Sequence, residues 1–286
     1  MQTLIVTAAD DNFFPLLHDL LSSLNQWQER PFTDIAVFDL GLSPGRKDWL
    51  ARVARYIVEP RWDLPVNDAV RATRPSNRAL TVRPFLPRYF PGYDIYIWMD
   101  ADTWVQERFA IERYVAAAAD GHLAAVPHSH TAYRHPLELV QWRRRSIRDY
   151  FGQEAVERGL WHAYVNAGVF ALRADAPHWA LWAKWFRTGL ENTFGKQCCD
   201  QSALNHTVWT EHLPVTLLPA LCNWLCHLAV PRFDPARARF CEPDGEARSI
   251  GILHLLGKTK NFTTDTGTAG ALGPRGLRYP GAATDL

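Results

Sequence analysis

The sequence is short of net charge. Its 31 lysines and arginines offset 30 aspartates and glutamates, for a formal charge of +1. That balance sets up no long-range field toward nucleic acid, and no nucleic-acid partner is expected. Long apolar runs are missing too: none approaches the roughly 20 residues that cross a bilayer as a helix, so no transmembrane segment is predicted. Met1-Gln2-Thr3 leads straight into a short strand without a charged leader or cleavage site, so no signal peptide is read and a cytoplasmic, reducing setting is the expectation. Cysteine is sparse and odd in number: Cys198, Cys199, Cys222, Cys226 and Cys241. Cys222 and Cys226 could share a helix face, but paired zinc spacings are lacking, and buried structural thiols are the expected reading. Neither G-x-G-x-x-G nor a P-loop occurs, which removes the dinucleotide fingerprint and the Walker-type phosphate cradle. There are no internal repeats. What is present, 47% hydrophobic and 21% charged residues in 286, suits a globular enzyme with a sizeable core.

The stretch that organises the rest is Tyr93 to Gln106, YDIYIWMDADTWVQ. Its continuous apolar run predicts a strand covered on both faces. Two acids, Asp100 and Asp102, close it with small Ala101 between. If strand geometry persists, positions i and i+2 project from one face. Paired carboxylates at the carboxyl end of a central strand are suited to a divalent cation, and ligands of open α/β sheets bind at that end. The plainer alternative is a solvated turn.

Upstream, Thr3 to Ala8 predicts a buried strand, Ala8-Ala9-Asp10-Asp11-Asn12 a loop, and Phe13 to Leu24 a helix with a leucine stripe and Pro15 in its first turn. Asp10 and Asn12 could bond a base or ribose with Phe13 or Phe14 stacking; alternatively Asp11 or Asn12 only caps the helix. Asp34 to Leu40 and Arg55 to Val58 predict strands flanking a helix from Arg46. Glu59 to Thr81, rich in Pro, Arg and Asn, reads as a long loop. Arg83 opens a short helical approach to the central strand and is a candidate phosphate or sugar contact.

Downstream, Phe109 to Ala119 predicts a helix and His122 to Val126 a strand. His128, His130 and His135 crowd one loop without a spacing that enforces metal binding. Pro136 to Tyr150 predicts a helix carrying Arg143, Arg144, Arg145 and Arg148, either a solvated face or a dock for an acidic acceptor. Tyr164 to Arg173 predicts a strand in which Asn166-Ala167-Gly168 is unusual: a glycine inside a strand implies close approach by something, or a bulge. Trp179, Trp182 and Trp185 recur at helical spacing and read as core. Asp200 and Gln201 open another helix. Ile250 to Leu255 predicts a strand ending in His254, a candidate third metal ligand, with Gly257 and Lys260 beyond it for a diphosphate. From about residue 263 the chain is Thr, Gly, Ala and Pro, and 263–286 reads as a flexible tail.

In order, AADDNF at 8–13, Arg83, DAD at 100–102, NAG at 166–168, DQSALN at 200–205 and H-x-x-G-x-x-K at 254–260 resemble the retaining family 8 glycosyltransferases, among them bacterial lipopolysaccharide galactosyl- and glucosyltransferases and glycogenin. The resemblance implies a single GT-A domain over 1–262: an α/β, Rossmann-like fold with a mixed, mostly parallel sheet and helices on both faces. It implies transfer of a hexosyl group from a UDP-sugar to an acceptor hydroxyl with retention. Asp100, Asp102 and His254 would bind Mn2+, with Mg2+ the alternative. Ala8, Asp10, Asn12 and Phe13 would hold the nucleoside, Gly257 and Lys260 the diphosphate, and Arg83, Ala101, Asn166, Ala167, Gly168, Asp200 and Gln201 the donor sugar, the last two in catalytic roles.

Three positions depart from the family pattern: Phe13 stands for a tyrosine, Ser202 for a second aspartate, and Asn261-Phe262 for Pro-Trp. They leave the donor sugar open. The acceptor is open as well, a cell-envelope glycan or a small molecule, with 59–81 and 127–150 expected to shape its pocket. An inverting GT-A enzyme, a sugar nucleotidyltransferase and a non-catalytic nucleotide-sugar-binding protein are the competing readings. The nucleotidyltransferase would want a glycine-rich loop after the first strand, which Ala8-Ala9-Asp10-Asp11 is not.

Overall fold

The computed structural model describes residues 1–159, 162–261, 263–264 and 275–281. The first half of the chain forms β1 (Thr3–Ala9), α1 (Phe14–Leu24), β2 (Asp34–Asp39), α2 (Pro44–Leu50), β3 (Tyr56–Val58), α3 (Asp68–Thr73), α4 (Arg78–Val82), α5 (Leu86–Tyr89), β4 (Ile95–Met99), β5 (Thr103–Val105), α6 (Arg108–Ala119) and β6 (Leu123–Pro127). Then come α7 (Leu137–Phe151), α8 (Gln153–Gly159), β7 (Val165–Arg173), α9 (His178–Asn192), α10 (Asp200–Thr210), β8 (Val215–Leu217), β9 (Trp224–Leu225), β10 (Arg232–Asp234), β11 (Arg239–Cys241) and β12 (Ile252–His254).

The main sheet has seven strands in the order β3-β2-β1-β4-β7-β6-β8. β7 pairs antiparallel with both β4 and β6, and the other pairings are parallel. The strands are apolar on both faces because both are covered. Alternate residues divide into two cores. Ile5, Ile35, Ile97 and Val169 pack with α1 and α6 on one side; Leu4, Phe38, Trp98 and Phe170 pack with α9 and α10 on the other. Trp179 and Trp182 belong to that second core, as their helical spacing predicts. β1 continues to β2 on one flank and borders β4 on the other, so a crevice opens at their carboxyl ends, where such sheets bind ligands.

Two expectations are corrected, and the expected tail is described only in part. Strand geometry does not persist through Asp102: β4 stops at Met99, and Thr103 N–H bonds Asp100 O at 3.0 Å to close a turn. The supposed loop at 59–81 contains α3, capped by Asn67, whose side chain accepts Ala69 N–H at 2.9 Å, and most of α4. Of the expected tail, 265–274 and 282–286 lie outside the described residues. Its described piece is anchored: Leu277 is fully buried, its carbonyl accepts Trp104 Nε1–H at 2.8 Å, and Arg278 pairs with Asp19 of α1. Isolated leucines in a Gly- and Thr-rich stretch give no periodic signal, which is why this anchor escapes sequence reading.

Candidate active site

A small second sheet, β5-β12-β9, assembles the acids and the histidine. The turn after β4 feeds β5, whose Thr103 pairs with His254 of β12, and Leu255 N–H bonds Asp102 O at 2.7 Å. Asp100, Asp102 and His254 each offer one ligand atom, all within 4.8 Å of one another. The remaining oxygens are tied elsewhere. Asp100 Oδ1 accepts Arg83 Nη2–H at 2.5 Å and Trp98 Nε1–H at 2.8 Å. Asp102 Oδ2 meets Lys260 Nζ at 2.9 Å. The second oxygens, Asp100 Oδ2 and Asp102 Oδ1, therefore face His254 Nε2, at 3.8 and 3.3 Å. Neighbouring ligands on an ion with bonds of about 2.1 Å lie roughly 3 Å apart, so the spacing suits one cation.

The histidine's tautomer follows from its partners. Gly168 N–H donates to Asn166 Oδ1 at 2.9 Å, which fixes that amide. Asn166 Oδ1 also accepts Asn223 Nδ2–H at 2.9 Å, so Asn223 turns its carbonyl oxygen to His254 Nδ1, 3.1 Å away. Nδ1 must then carry the proton and Nε2 the lone pair. Nε2 is buried without a hydrogen-bond partner. A buried, orphaned imidazole lone pair beside two carboxylate oxygens fits a divalent cation, with Asn223 as the outer partner that orients the ligand.

Charge around the trio is closely matched. Arg83 is buried; burial opposes its charge, but Asp100 and Asp200 outweigh that and raise its pKa. It donates to Asp200 Oδ2 at 2.6 Å and to Ala167 O at 3.0 Å, and its guanidinium lies 4.6 Å from the Trp98 ring centroid. Burial raises the pKa of Asp100 against the pull of Arg83. For Asp102 burial acts in the same raising sense, yet its pKa lies below the usual carboxylate value, with Lys260 among the groups that pull it down.

Beside the trio lies a cavity of about 240 Å3, lined by Ala8, Asp10, Phe13, Arg83, Asp100, Ala101, Asp102 and Lys260 among others. Lys260 Nζ sits 4.1 Å over the Phe13 ring, so the end of β1 and the chain after β12 meet here. Asp10 Oδ1 accepts Phe13 N–H at 3.0 Å, while Asp11 binds Ser43 N–H and Arg46. Asn12 is exposed at the turn and caps nothing through its side chain; Gly257 has a positive φ of 58° at the start of the turn that carries Lys260.

Gly168 meets the close approach that its place in a strand implies: a Cβ there would fall against His254 Cε1 and 2.7 Å from Asp100 Oδ2. Asp200 and Gln201, at the start of α10, come to the same place. Gln201 Oε1 accepts Ala167 N–H at 2.9 Å and Asn166 Nδ2–H at 3.2 Å. Ser202 is buried instead against Ser146 Oγ, 2.9 Å away, beneath the site. His128, His130 and His135 do not gather as a metal group: His128 meets Asn166 and Arg143, and His130 pairs with Glu242 at 3.3 Å.

Sequence reading missed Asn223, Trp98 as a donor to Asp100, and Ser76, Asn77, Ala79 and Leu80, which line the cavity from the supposed loop. Trp98 could have been found, since it and Asp100 are two residues apart. Asn223 carries no local signal; only the pairing of β9 with β12 places it beside His254.

No protein-family model matches the chain, and no curated protein sequence does. Solved structures do. The chain superposes on the galactosyltransferase LgtC, solved in complex with donor and acceptor sugar analogs, with a TM-score of 0.56 and 20% identity over 90% of this chain and 88% of that one. An active-site mutant of LgtC matches with a TM-score of 0.55, 19% identity, and coverage of 89% and 87%. The apo bifunctional glycosyltransferase WbbM matches with a TM-score of 0.56 and 16% identity over 93% of this chain, which spans 47% of WbbM. The chain thus has the GT-A fold of these glycosyltransferases.

Proposed function

We propose that the chain is a retaining glycosyltransferase that moves a hexosyl group from a UDP-sugar to an acceptor hydroxyl. The observation that carries this reading is the convergence of Asp100 Oδ2, Asp102 Oδ1 and the orphaned His254 Nε2 beside the cavity at the end of β1. These three residues hold a divalent cation, Mn2+ by preference and Mg2+ as the alternative. When bound, the cation supplies Lewis-acid neutralisation of the charge that grows on the departing diphosphate.

The chain's own groups do the rest. Ala8, Asp10, Asn12 and Phe13 hold the uracil and ribose. Lys260, placed between Phe13 and Asp102, adds positive charge at the diphosphate, with Gly257 allowing the turn that brings it there. Arg83, Ala101, Asn166, Ala167 and Gly168 surround the sugar, with Asp200 and Gln201 at its reacting face.

Retention is favoured by what the acids are doing. Asp10 is bonded to the Phe13 N–H, Asp200 to Arg83, and Asp100 and Asp102 point at the ligand position. None is placed as the base that inversion needs. In same-face attack, the anomeric carbon–phosphate oxygen bond breaks as the acceptor oxygen bonds to that carbon, and the acceptor proton passes to the leaving phosphate. Gln201, anchored through Oε1, steadies the sugar during this exchange. The five free cysteines accord with a reducing cytoplasm as the setting, and no helix of the described residues is long and apolar enough to cross a membrane.

The test is UDP release from UDP-glucose and UDP-galactose with Mn2+, followed by NMR of the product's anomeric configuration. Asp102→Ala should abolish metal-dependent turnover. Retained activity with ordinary metal dependence would remove the site assignment, and an inverted product would move the inverting reading to the front.

A further inference from the structure

Of the four arginines on α7, three face outward. Arg144, Arg145 and Arg148 are exposed, and Arg148 pairs with Asp149 at 3.3 Å. Arg143 turns inward. Its guanidinium lies 4.9 Å from the Tyr164 ring centroid, Nη2 meets His128 Nδ1, and Nε is buried without a partner. Among the described residues it forms no ion pair with a carboxylate. A largely buried cation without an anion is costly, and burial indeed lowers its pKa.

Burial lowers the pKa values of two further histidines, His135 and His227, and both lie near enough to Arg143 for its charge to lower them as well. Arg134 N–H bonds Leu228 O at 2.9 Å, which brings the segment carrying His135 beside the one carrying His227. Cys226 N–H bonds His254 O at 3.1 Å, so His227 follows directly on the strand that flanks the metal trio. His227 Nδ1 is a second buried nitrogen without a partner. His128 stands between Arg143 Nη2 and Asn166 Nδ2, its Nε2 3.2 Å from the latter, which puts Arg143 one side chain away from the place assigned to the sugar. Among the described residues the cluster holds no carboxylate of its own, and the carboxylate that perturbs His227 is Asp102, which belongs to the trio.

We propose that Arg143, His135 and His227 form a subsite for a sugar-borne oxyanion, a carboxylate or phosphate on the acceptor or on the transferred unit. The proposal rests on the glycosyl-transfer reading for where the sugar lies. A planar guanidinium is suited to bidentate contact with either anion, and an imidazole N–H completes the contact. A neutral substrate would leave the Arg143 charge uncompensated.

The test uses the full chain with Mn2+ and UDP. Ligand-observed NMR compares glucuronate and glucose 6-phosphate with glucose, and a parallel titration without UDP compares UDP-glucuronate with UDP-glucose. Charged sugars should bind roughly tenfold or more tightly than their neutral counterpart, in the first arm if the acceptor carries the anion and in the second if the donor does. Arg143→Gln and His227→Gln should each erode that preference, and Arg145→Gln, on the outer face, should keep it. Equal binding of charged and neutral sugars in both arms, or a preference that survives in folded Arg143→Gln and His227→Gln proteins, overturns the subsite. UDP bound with Mn2+ but no charge preference refutes the subsite alone. A charge preference without UDP binding keeps the subsite and refutes the transfer reading.

Discussion

Gly168→Ala is the smallest change that tests the packing of the site. Gly168 lies inside β7, where its carbonyl accepts Asp100 N–H at 2.7 Å. A Cβ would sit against His254 Cε1, 2.7 Å from Asp100 Oδ2 and 3.0 Å from Asn166 Oδ1. Carbon–oxygen contacts prefer about 3.3 Å or more, so the Asp100 oxygen alone would have to yield roughly 0.6 Å. None of the three neighbours is free to swing. His254 is fully buried and tied to Asn223, Asp100 is held by Arg83 and Trp98, and Asn166 is bonded by Asn223.

Overpacking of this kind costs about 1–3 kcal/mol, or a Tm lower by roughly 2–10 °C for a chain of this size. The same crowding displaces metal ligands, so Mn2+ affinity should drop about tenfold or more. Scanning calorimetry in EDTA isolates the stability term, and Mn2+ titration reads the second. Gly45→Ala is the control: it lies in α2 with nothing within 4 Å of a new Cβ, so Tm should hold or rise. If Gly168→Ala melts within about 1 °C of wild type and binds Mn2+ equally, the close approach of β7 to the site is refuted.

Asn223→Ala removes the acceptor that sets the His254 tautomer, and Mn2+ affinity should fall about 10- to 100-fold; unchanged affinity counts against the orienting chain. Leu277→Ala should destabilise the protein by about 2–3 kcal/mol in denaturant unfolding if 275–281 is anchored on the core, and by almost nothing if it is not. His178, buried at the start of α9 with Nε2–H donating to Pro214 O at 3.0 Å, has its pKa lowered to about 4, chiefly by burial. Between about 6.5 and 4 the unfolded chain takes up a proton that the folded chain refuses, so stability falls through that window by roughly 3 kcal/mol and then levels. His178→Gln should flatten this acid slope, and an unchanged slope would place the loss elsewhere.

The sheet was legible because apolar runs and turn residues mark its strands, and the acids at 100 and 102 announce themselves at the end of the most continuous run. What brings them together was not legible. A turn, not strand alternation, aims the two carboxylates, and β5 and β9, of three and two residues, are too short for a periodic signal. Asn223 is invisible for the same reason, because its role exists only once β9 lies beside β12. The helices hidden in 59–81 were masked by prolines that start turns there, and Leu277 by its Gly- and Thr-rich surroundings. Arg143 looked like its three exposed neighbours; helix phase against Tyr164 separates it, and that phase depends on where β7 lies.

The most direct measurement of the central claim is calorimetric titration of UDP into the purified protein, first with Mn2+ and then with EDTA, with GDP and ADP as controls. Tight binding of UDP that EDTA abolishes, with weaker GDP and ADP, is the predicted result for a cation held by Asp100, Asp102 and His254. Binding that survives EDTA, or that shows no preference for uridine, would contradict it.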